Sequence, residues 1–356
     1  MRLLLAGYFG CGNLGDDAIM LGFLNAIQGK SYEVKALASN LDTLMRNYGV
    51  TGVYRKDFKA VKAAIDETDA VVFPGGSIFQ DVTSTRSVAY YSKVVTDAKK
   101  AGKKVLLLGQ GVGPLTGFLG KRLASAAFAA ADAVVLRDPA SASVLKSLGY
   151  KGTPRMGADM AWLLPSLQMS EDSKAYGVAG SKTVGISVRP WGKDRNKTVV
   201  SVFAELAQLL TKSGYIPMFI EMDHDEDGPL ILEIAKTLGG KVPDMRNLTS
   251  PVQIQQRVAR MEGMIAMRLH AGILAATVGV PPYMVSYDPK VTAFANAIGA
   301  STPPTMQGLT AQRLFDGFVS TIKDRERASA SLLKRRDELA KQAALNIDVL
   351  ESTLRG

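Results

Sequence analysis

Two rhythms of apolar and polar residues alternate along this chain. Short, continuous apolar runs occur at Leu3–Ala6, Val34–Ala38, Ala70–Phe73, Val105–Leu108 and Ala133–Leu136. They read as strands of a parallel sheet covered on both faces, because such strands have no solvent side to keep polar. Between them, apolar residues spaced three and four apart predict helices over Asp16–Gln28, Asp57–Thr68, Val88–Ala101, Leu119–Ala131 and Ala140–Leu148. Gly102 and Gly149 stand where helix C-caps belong. The rhythm stops after Pro165, and the polar residues 166–182 read as a linker. It restarts with strands at Val184–Val188, Ile216–Ile220, Gly263–Ala266 and Tyr283–Ser286. Helices are predicted over Val199–Ser213, Pro229–Leu238, Val252–Met261, Ala271–Val278 and Lys290–Ala297. The pattern predicts two doubly wound, Rossmann-like α/β domains, residues 1–165 and 183–324, facing an interdomain cleft.

A last helical pattern, Arg325–Leu354, belongs to a C-terminal segment 325–356. Leu332, Leu339, Ala343, Ile347, Leu350 and Leu354 form its apolar stripe, and Lys334, Arg335, Arg336 and Lys341 its basic face. Such a helix either packs onto the body of the protein or lies on an anionic membrane.

Composition narrows the class. A chain of 356 residues suits two domains, and 47% hydrophobic with 21% charged residues is ordinary for a globular protein. No apolar run reaches membrane-spanning length. A secretory signal is not visible, so a cytoplasmic setting is expected, with peripheral contact at the inner membrane face as an option. Cys11 is the only cysteine, which excludes an intramolecular disulfide and an all-cysteine metal site. The net charge of +10 suits an anionic partner. With no dense Lys/Arg block interleaved with aromatics, nucleic acid is not expected.

Chemistry concentrates where strands end, which is where doubly wound sheets bind ligands. The first strand runs into Gly7-Tyr8-Phe9-Gly10-Cys11-Gly12-Asn13-Leu14-Gly15-Asp16-Asp17, a glycine-rich loop leading into a helix. Gly10–Gly15 matches G-x-G-x-x-G, the dinucleotide fingerprint. Three features argue against that ligand. Tyr8 and Phe9 separate the fingerprint from the strand, Asp16-Asp17 would repel a pyrophosphate, and the second strand lacks a terminal acid for a ribose. Later strands end in Pro74-Gly75-Gly76-Ser77 with Gln80-Asp81, in Gly109-Gln110-Gly111-Val112-Gly113-Pro114, and in Arg137-Asp138 with Ser141. In the second half they end in Arg189-Pro190-Trp191, Arg268-Leu269-His270-Ala271 and Tyr287-Asp288-Pro289-Lys290. Arg137, Arg189, Arg268 and Lys290 thus mark a cleft rich in anion donors.

Of two histidines, His270 heads a predicted helix at a strand end, where an acid/base group is useful near neutral pH. His224 lies in the acidic segment Asp223–Asp227 and reads as part of a solvated loop. Cys11 reads as a small packing residue. A G-x-x-x-x-G-K-[ST] loop, an H-E-x-x-H pair and a G-x-S-x-G elbow are all absent.

Taken together and in order, these segments resemble the bacterial polysaccharide pyruvyl transferase family, and within it the cell-surface-anchoring CsaB-type enzymes. The resemblance implies a GT-B-like fold. It implies transfer of a pyruvyl group from phosphoenolpyruvate to a hexose, typically N-acetylmannosamine, of a cell-wall polymer precursor, giving a 4,6-ketal. It also implies a donor site served by an arginine, a histidine and a lysine, which by motif position are Arg137, His270 and Lys290, with Arg189 also well placed for the arginine role. Arg268 is expected as a further donor-site cation. Asn13, Asp16, Asp17, Gln80 and Asp81 are the polar groups available to an acceptor sugar, although Asp16 and Asp17 also suit a helix N-terminus electrostatically. The scheme needs no metal and no resident cofactor, phosphoenolpyruvate being a co-substrate. The acceptor would be a saccharide, with a lipid-diphosphate carrier consistent with the family. Two rivals fit the same pattern: a GT-B glycosyltransferase using a nucleotide sugar, and a non-catalytic two-domain protein binding a sugar or anion.

Overall fold

The computed structural model describes residues 1–81, 85–167, 182–240, 242–245 and 247–355. The chain divides into two compact units, Met1–Pro165 with Leu339–Gly356, and Ser166–Glu338. The linker expected over 166–182 falls almost wholly outside the described residues.

The first unit is built on a parallel sheet. Its strands are β1 (Arg2–Phe9), β2 (Glu33–Ala38), β3 (Thr51–Tyr54), β4 (Ala70–Phe73), β5 (Gly76–Phe79), β6 (Lys104–Val112), β7 (Ala133–Leu136) and β8 (Arg155–Met156). The order is β3-β2-β1-β4-β6-β7-β8, with β5 paired to β6. The helices are α1 (Leu14–Ala26), α2 (Leu41–Tyr48), α3 (Phe58–Glu67), α4 (Thr85–Lys100), α5 (Phe118–Ala130) and α6 (Pro139–Ser147).

Successive side chains of a strand point to opposite faces, and the core follows that rule. Leu4, Ala6, Val71, Phe73, Val105 and Leu107 pack on one face. Leu3, Leu5, Ala70, Val72, Leu106 and Leu108 pack on the other. Each fully buried large side chain contributes about 1.5–3 kcal/mol, so both faces are needed to hold the sheet.

The second unit repeats the design with β9 (Lys182–Ser187), β10 (Tyr215–Ile220), β11 (Asp244–Met245), β12 (Gly263–Ala266) and β13 (Pro282–Met284). Their order is β11-β10-β9-β12-β13, all parallel. Around them lie α7 (Asn196–Lys212), α8 (His224–Thr237), α9 (Pro251–Val258), α10 (Leu269–Thr277), α11 (Pro289–Ala297) and α12 (Ala311–Ile322). Val184, Ile186, Phe203, Phe219, Ile265 and Phe318 share one core.

Several elements depart from the pattern reading. Helix α2 and strand β3 were not expected, because neither has a strong apolar run; α2 is started by Asn40, whose side chain accepts from the Thr43 N–H. Helix α12 was also missed, although Thr310 caps it in the same manner. Segments read as glycine loops turn out to be strand. β6 continues through Gly109-Gln110-Gly111-Val112, with a register shift between Leu107 and Gln110 where Gly109 takes φ +56°. β5 forms against that continuation. The acidic segment at His224 is not a loop but the first turns of α8, capped by Asp223.

The C-terminal helix α13 (Arg325–Arg355) serves both units in turn. In its first half Arg325 donates to the carbonyls of Met261 and Glu262, and Arg336 to that of Thr277. In its second half Ile347 and Leu350 join the face that holds Leu3, Leu5 and Phe9. Leu332, Leu339 and Ala343 are buried as well. The apolar stripe is therefore consumed by the fold of this chain and is not a membrane-facing surface. No described helix is long and apolar enough to cross a membrane.

Candidate functional site

In the first unit the glycine loop after β1 is held from within. Asn13 caps α1 by accepting from the Gly15 N–H at 2.9 Å. Asp17, 2% exposed, accepts from the Gly10 N–H at 3.0 Å and from the Tyr48 hydroxyl at 3.1 Å. Both residues expected to meet an acceptor sugar thus make bonds that shape the loop. Asp16 is half-buried and faces the Gly75-Gly76 pair, where a Cβ on Gly76 would lie 3.1 Å from its Oδ1. Gly76 has φ +93°, a second reason for glycine at that turn. Gln80 is half-buried at the end of β5. Asp81 accepts from the Thr116 and Gly117 N–H groups and from the Thr116 hydroxyl, at 2.7, 2.8 and 3.1 Å. Burial works to raise this carboxyl, but the bonds from Thr116 and Gly117 outweigh it and hold it below its ordinary value. Its lone pairs are directed at the start of α5.

Arg137 sits at the end of β7 with its side chain 5% exposed. It donates to Asp159 Oδ2 at 2.8 Å and to Ser77 Oγ at 2.6 Å, with Asp138 Oδ2 3.5 Å from its Nε. Burial alone would lower its pKa; Asp159 and Asp138 more than reverse that. Gly111 passes against the guanidinium so closely that a Cβ would lie 2.6 Å from Nη2. The Arg137-Asp138-Ser141 motif is locked too: Asp138 accepts from the N–H and hydroxyl of Ser141, whose oxygen accepts from the Val112 N–H. Asp159 had no signal in the sequence, since it stands in Gly157-Ala158-Asp159-Met160 with no charged neighbour.

Gly10–Gly15 follows β1 directly, because β1 extends through Phe9, which pairs with Ala38. Tyr8 and Phe9 are strand residues, so the expected separation of the fingerprint from the strand does not exist. The other two objections to a dinucleotide stand: Asp16 and Asp17 occupy the first turn of α1, and β2 ends at Ala38 without an acid.

In the second unit the cations divide into two kinds. Arg268 is saturated. Its Nε and Nη2 reach Asp227 Oδ1 at 3.0 and 2.6 Å, Nη2 reaches Glu226 Oε2 at 2.8 Å, and Asp223 Oδ2 lies at 3.8 Å. Asp227 has no exposed surface, and burial pushes its carboxyl up to about 6 against the pull of Arg268. Arg268 is a structural cation that ties the end of β12 to the start of α8. The expected donor role does not fit a guanidinium already shared by three carboxylates.

Arg189 and Lys290 are different. The Arg189 guanidinium carbon lies 4.1 Å from the Tyr287 ring centroid, and Lys290 Nζ lies 5.7 Å from it. Among the described residues no carboxylate pairs with Arg189, and Lys290 meets only Asp288 Oδ2 at 3.8 Å. Asp288 and Pro289 start α11, with Asp288 accepting from the Lys290 N–H. His270 is the second residue of α10, half-buried, just past the end of β12. His224 is held by Glu221 at 2.7 Å. Among the described residues no cluster of His, Cys, Asp and Glu is placed to hold a metal.

Comparison with known proteins extends this picture. Over residues 13–289 the chain matches the model of the polysaccharide pyruvyl transferase family. A curated relative, the amylovoran biosynthesis protein AmsJ of Erwinia amylovora, is 23% identical over 390 residues, covering 90% of both chains. Among solved structures, the UDP-GlcNAc 2-epimerase of Neisseria meningitidis superposes with a TM-score of 0.65 at 12% identity, covering 99% of this chain and 100% of that one. The ADP-heptose heptosyltransferase II of E. coli gives 0.51 at 14% identity, covering 92% and 100%. These likenesses establish the GT-B-type architecture of paired Rossmann-like domains. The family match spans most of the chain, from Asn13 in the first glycine loop to Pro289, the residue before Lys290, and the protein belongs to the polysaccharide pyruvyl transferase family.

Proposed function

We propose that this protein transfers a pyruvyl group from phosphoenolpyruvate to a hexose of a polysaccharide precursor, N-acetylmannosamine of a cell-wall polymer being the expected acceptor, to form a 4,6-ketal. The observation that carries this reading is the Arg189–Tyr287–Lys290 group. Two cations that no described carboxylate saturates share one aromatic ring, which suits a small ligand bearing a carboxylate and a phosphate.

The reaction needs few tools. A proton is delivered to the methylene carbon of the enol phosphate, leaving a positive centre at C2. One sugar hydroxyl adds there and a second displaces phosphate. Of the two hydroxyl protons, one balances the proton now in the methyl group and the other leaves with phosphate. His270 is the proposed proton carrier, a role typically worth about 10²–10⁴-fold in rate. Arg189 and Lys290 hold the donor's charges. Arg137 of the first unit is retained as a donor residue on the family resemblance, while its geometry assigns it first to Asp159 and Ser77. Asp16 and Gln80 are retained as proposed acceptor-side groups.

The deciding experiment follows phosphate release from phosphoenolpyruvate in the presence of N-acetylhexosamine glycosides, with nucleotide sugars as the competing donor. Phosphate release with a ketal on the glycoside is the expected result. Product from a nucleotide sugar, with none from phosphoenolpyruvate, overturns the proposal in favour of glycosyl transfer. Donor binding without turnover on any acceptor favours a passive binding protein.

A further inference from the structure

Arg55 follows β3, beside the ends of β1 and β2, and was not among the expected site residues. Its guanidinium carbon lies 5.2 Å from the centroid of the Tyr8 ring, 4.8 Å from that of Tyr90 and 5.5 Å from that of Tyr91. Nη1 reaches Cys11 Sγ at 3.3 Å and Nη2 reaches the Tyr91 hydroxyl at 3.2 Å. Three rings therefore hold the plane of the guanidinium. Among the described residues, two of its five N–H groups are directed at these neutral partners, Cys11 and Tyr91.

The groups that Arg55 donates to are neutral, and the Asp16 carboxylate acts on both of them, Cys11 and Tyr91, from farther off. Among the described residues no carboxylate pairs with Arg55, in contrast with Arg137 and Arg268. Burial raises the Cys11 thiol despite its contacts with Ser39 and Arg55, and burial likewise raises Tyr90 and Tyr91, so all three stay protonated near neutral pH. A half-buried cation, fixed in orientation and with no carboxylate paired to it among the described residues, is costly unless an anion completes it.

The surroundings specify what carries that anion. Tyr8 is 40% exposed and Phe58 59%, and Phe58 lies 6.5 Å from Tyr90, centroid to centroid. Exposed aromatic rings around a cation offer flat apolar faces next to a charge. A pyranose ring carrying an oxyanion matches both features. The position also fits, since ligands of doubly wound sheets bind beyond the carboxyl ends of the strands.

We propose that Arg55, framed by Tyr8 and Tyr90, is an anion subsite for the acceptor: it receives a phosphate or carboxylate group on the saccharide, while the exposed rings receive sugar faces. The inference rests on the saccharide-modifying role proposed above and names a substrate class for it, an anionic glycoside over a neutral one.

Binding measured by calorimetry tests it without any turnover, so a failure to pyruvylate anything leaves this measurement intact. The probes are N-acetylglucosamine 1-phosphate, glucuronic acid and methyl N-acetylglucosaminide. The wild-type protein should bind one or both anionic sugars at least about tenfold more tightly than the neutral glycoside, with the preference shrinking as salt rises. The preferred probe tells phosphate from carboxylate. Arg55→Gln should abolish the preference, and Tyr8→Ala should weaken all bound probes alike. No preference in the wild type overturns the proposal. So does a preference that survives in Arg55→Gln with an unchanged melting temperature. Should Arg55→Gln melt early, Arg55→Lys decides: loss of about threefold or more in the preference supports the subsite, and full retention overturns it.

Discussion

Arg189 and Lys290 share the ring of Tyr287, although the two cations come from the end of β9 and the start of α11. The ring orients both by cation–π attraction, worth roughly 0.5–2 kcal/mol per pair depending on solvation. If they bind the donor, Arg189→Met and Lys290→Met should each lower kcat/KM for phosphoenolpyruvate by about 10²-fold or more, in line with the loss of one preorganised charge donor. Melting temperatures should change little, because neither cation anchors a buried carboxylate. Tyr287→Phe should stay near wild type and Tyr287→Leu should raise KM. Steady-state phosphate release, read against thermal melting, checks the set.

His270→Ala and His270→Gln should both reduce turnover by about 10²–10⁴-fold while the far-ultraviolet dichroism and melting temperature remain as in the wild type. Glutamine preserves size and hydrogen bonding but carries no titratable proton. Wild-type turnover in His270→Gln removes the histidine from the mechanism.

Arg137 should behave as a structural residue before it behaves as a catalytic one. Arg137→Ala leaves Asp159, 5% exposed, without its main cation, at a cost of about 3–5 kcal/mol. Gly111→Ala should cost about 1–3 kcal/mol by forcing a methyl group into a guanidinium that Ser77 and Asp159 hold in place. Denaturant unfolding measures both. Any activity loss in Arg137 variants therefore needs a stability measurement beside it.

The Arg268–Asp227 pair has a pH signature. Asp227 titrates near 6 in the folded protein, above its unfolded value. As pH falls through 6 the folded state takes up a proton that the unfolded chain does not bind until nearer 4. The contribution of Asp227 to stability therefore grows as pH falls and is lost as pH rises through about 6. Asp227→Asn removes this term, so between about pH 4 and 6 its unfolding free energy should rise with pH more steeply than that of the wild type. The difference in slope is at most about 1.4 kcal/mol per pH unit. Unfolding curves at several pH values decide the sign.

The sheet strands with full apolar runs were legible because burial on both faces leaves no polar position to blur them; Ala70–Phe73, Ala133–Leu136 and Gly263–Ala266 have the same bounds in sequence and structure. β3, with its half-exposed Thr-Gly-Val-Tyr, had no such signal, and β5 owes its existence to pairing with a bulged β6. The site was partly legible for the same reason. Glycines and charges at strand ends are visible in one dimension, whereas their partners are not. Arg268 and Asp227 are 41 residues apart, and Arg137 and Asp159 are 22.

From the sequence alone came the fold class, the break after Pro165, the strand-end positions of Arg137, Arg189, His270, Arg268 and Lys290, and the family they resemble. Those follow from local apolar periodicity and motif order, which a chain carries whatever its partners. Tertiary structure decided which cations are already spent on buried carboxylates, that the apolar stripe of α13 is core, and that Arg55 stands among tyrosines with no carboxylate paired to it among the described residues. These are matters of charge compensation and packing between distant segments, and only the folded chain brings the groups within the few ångströms over which such forces act.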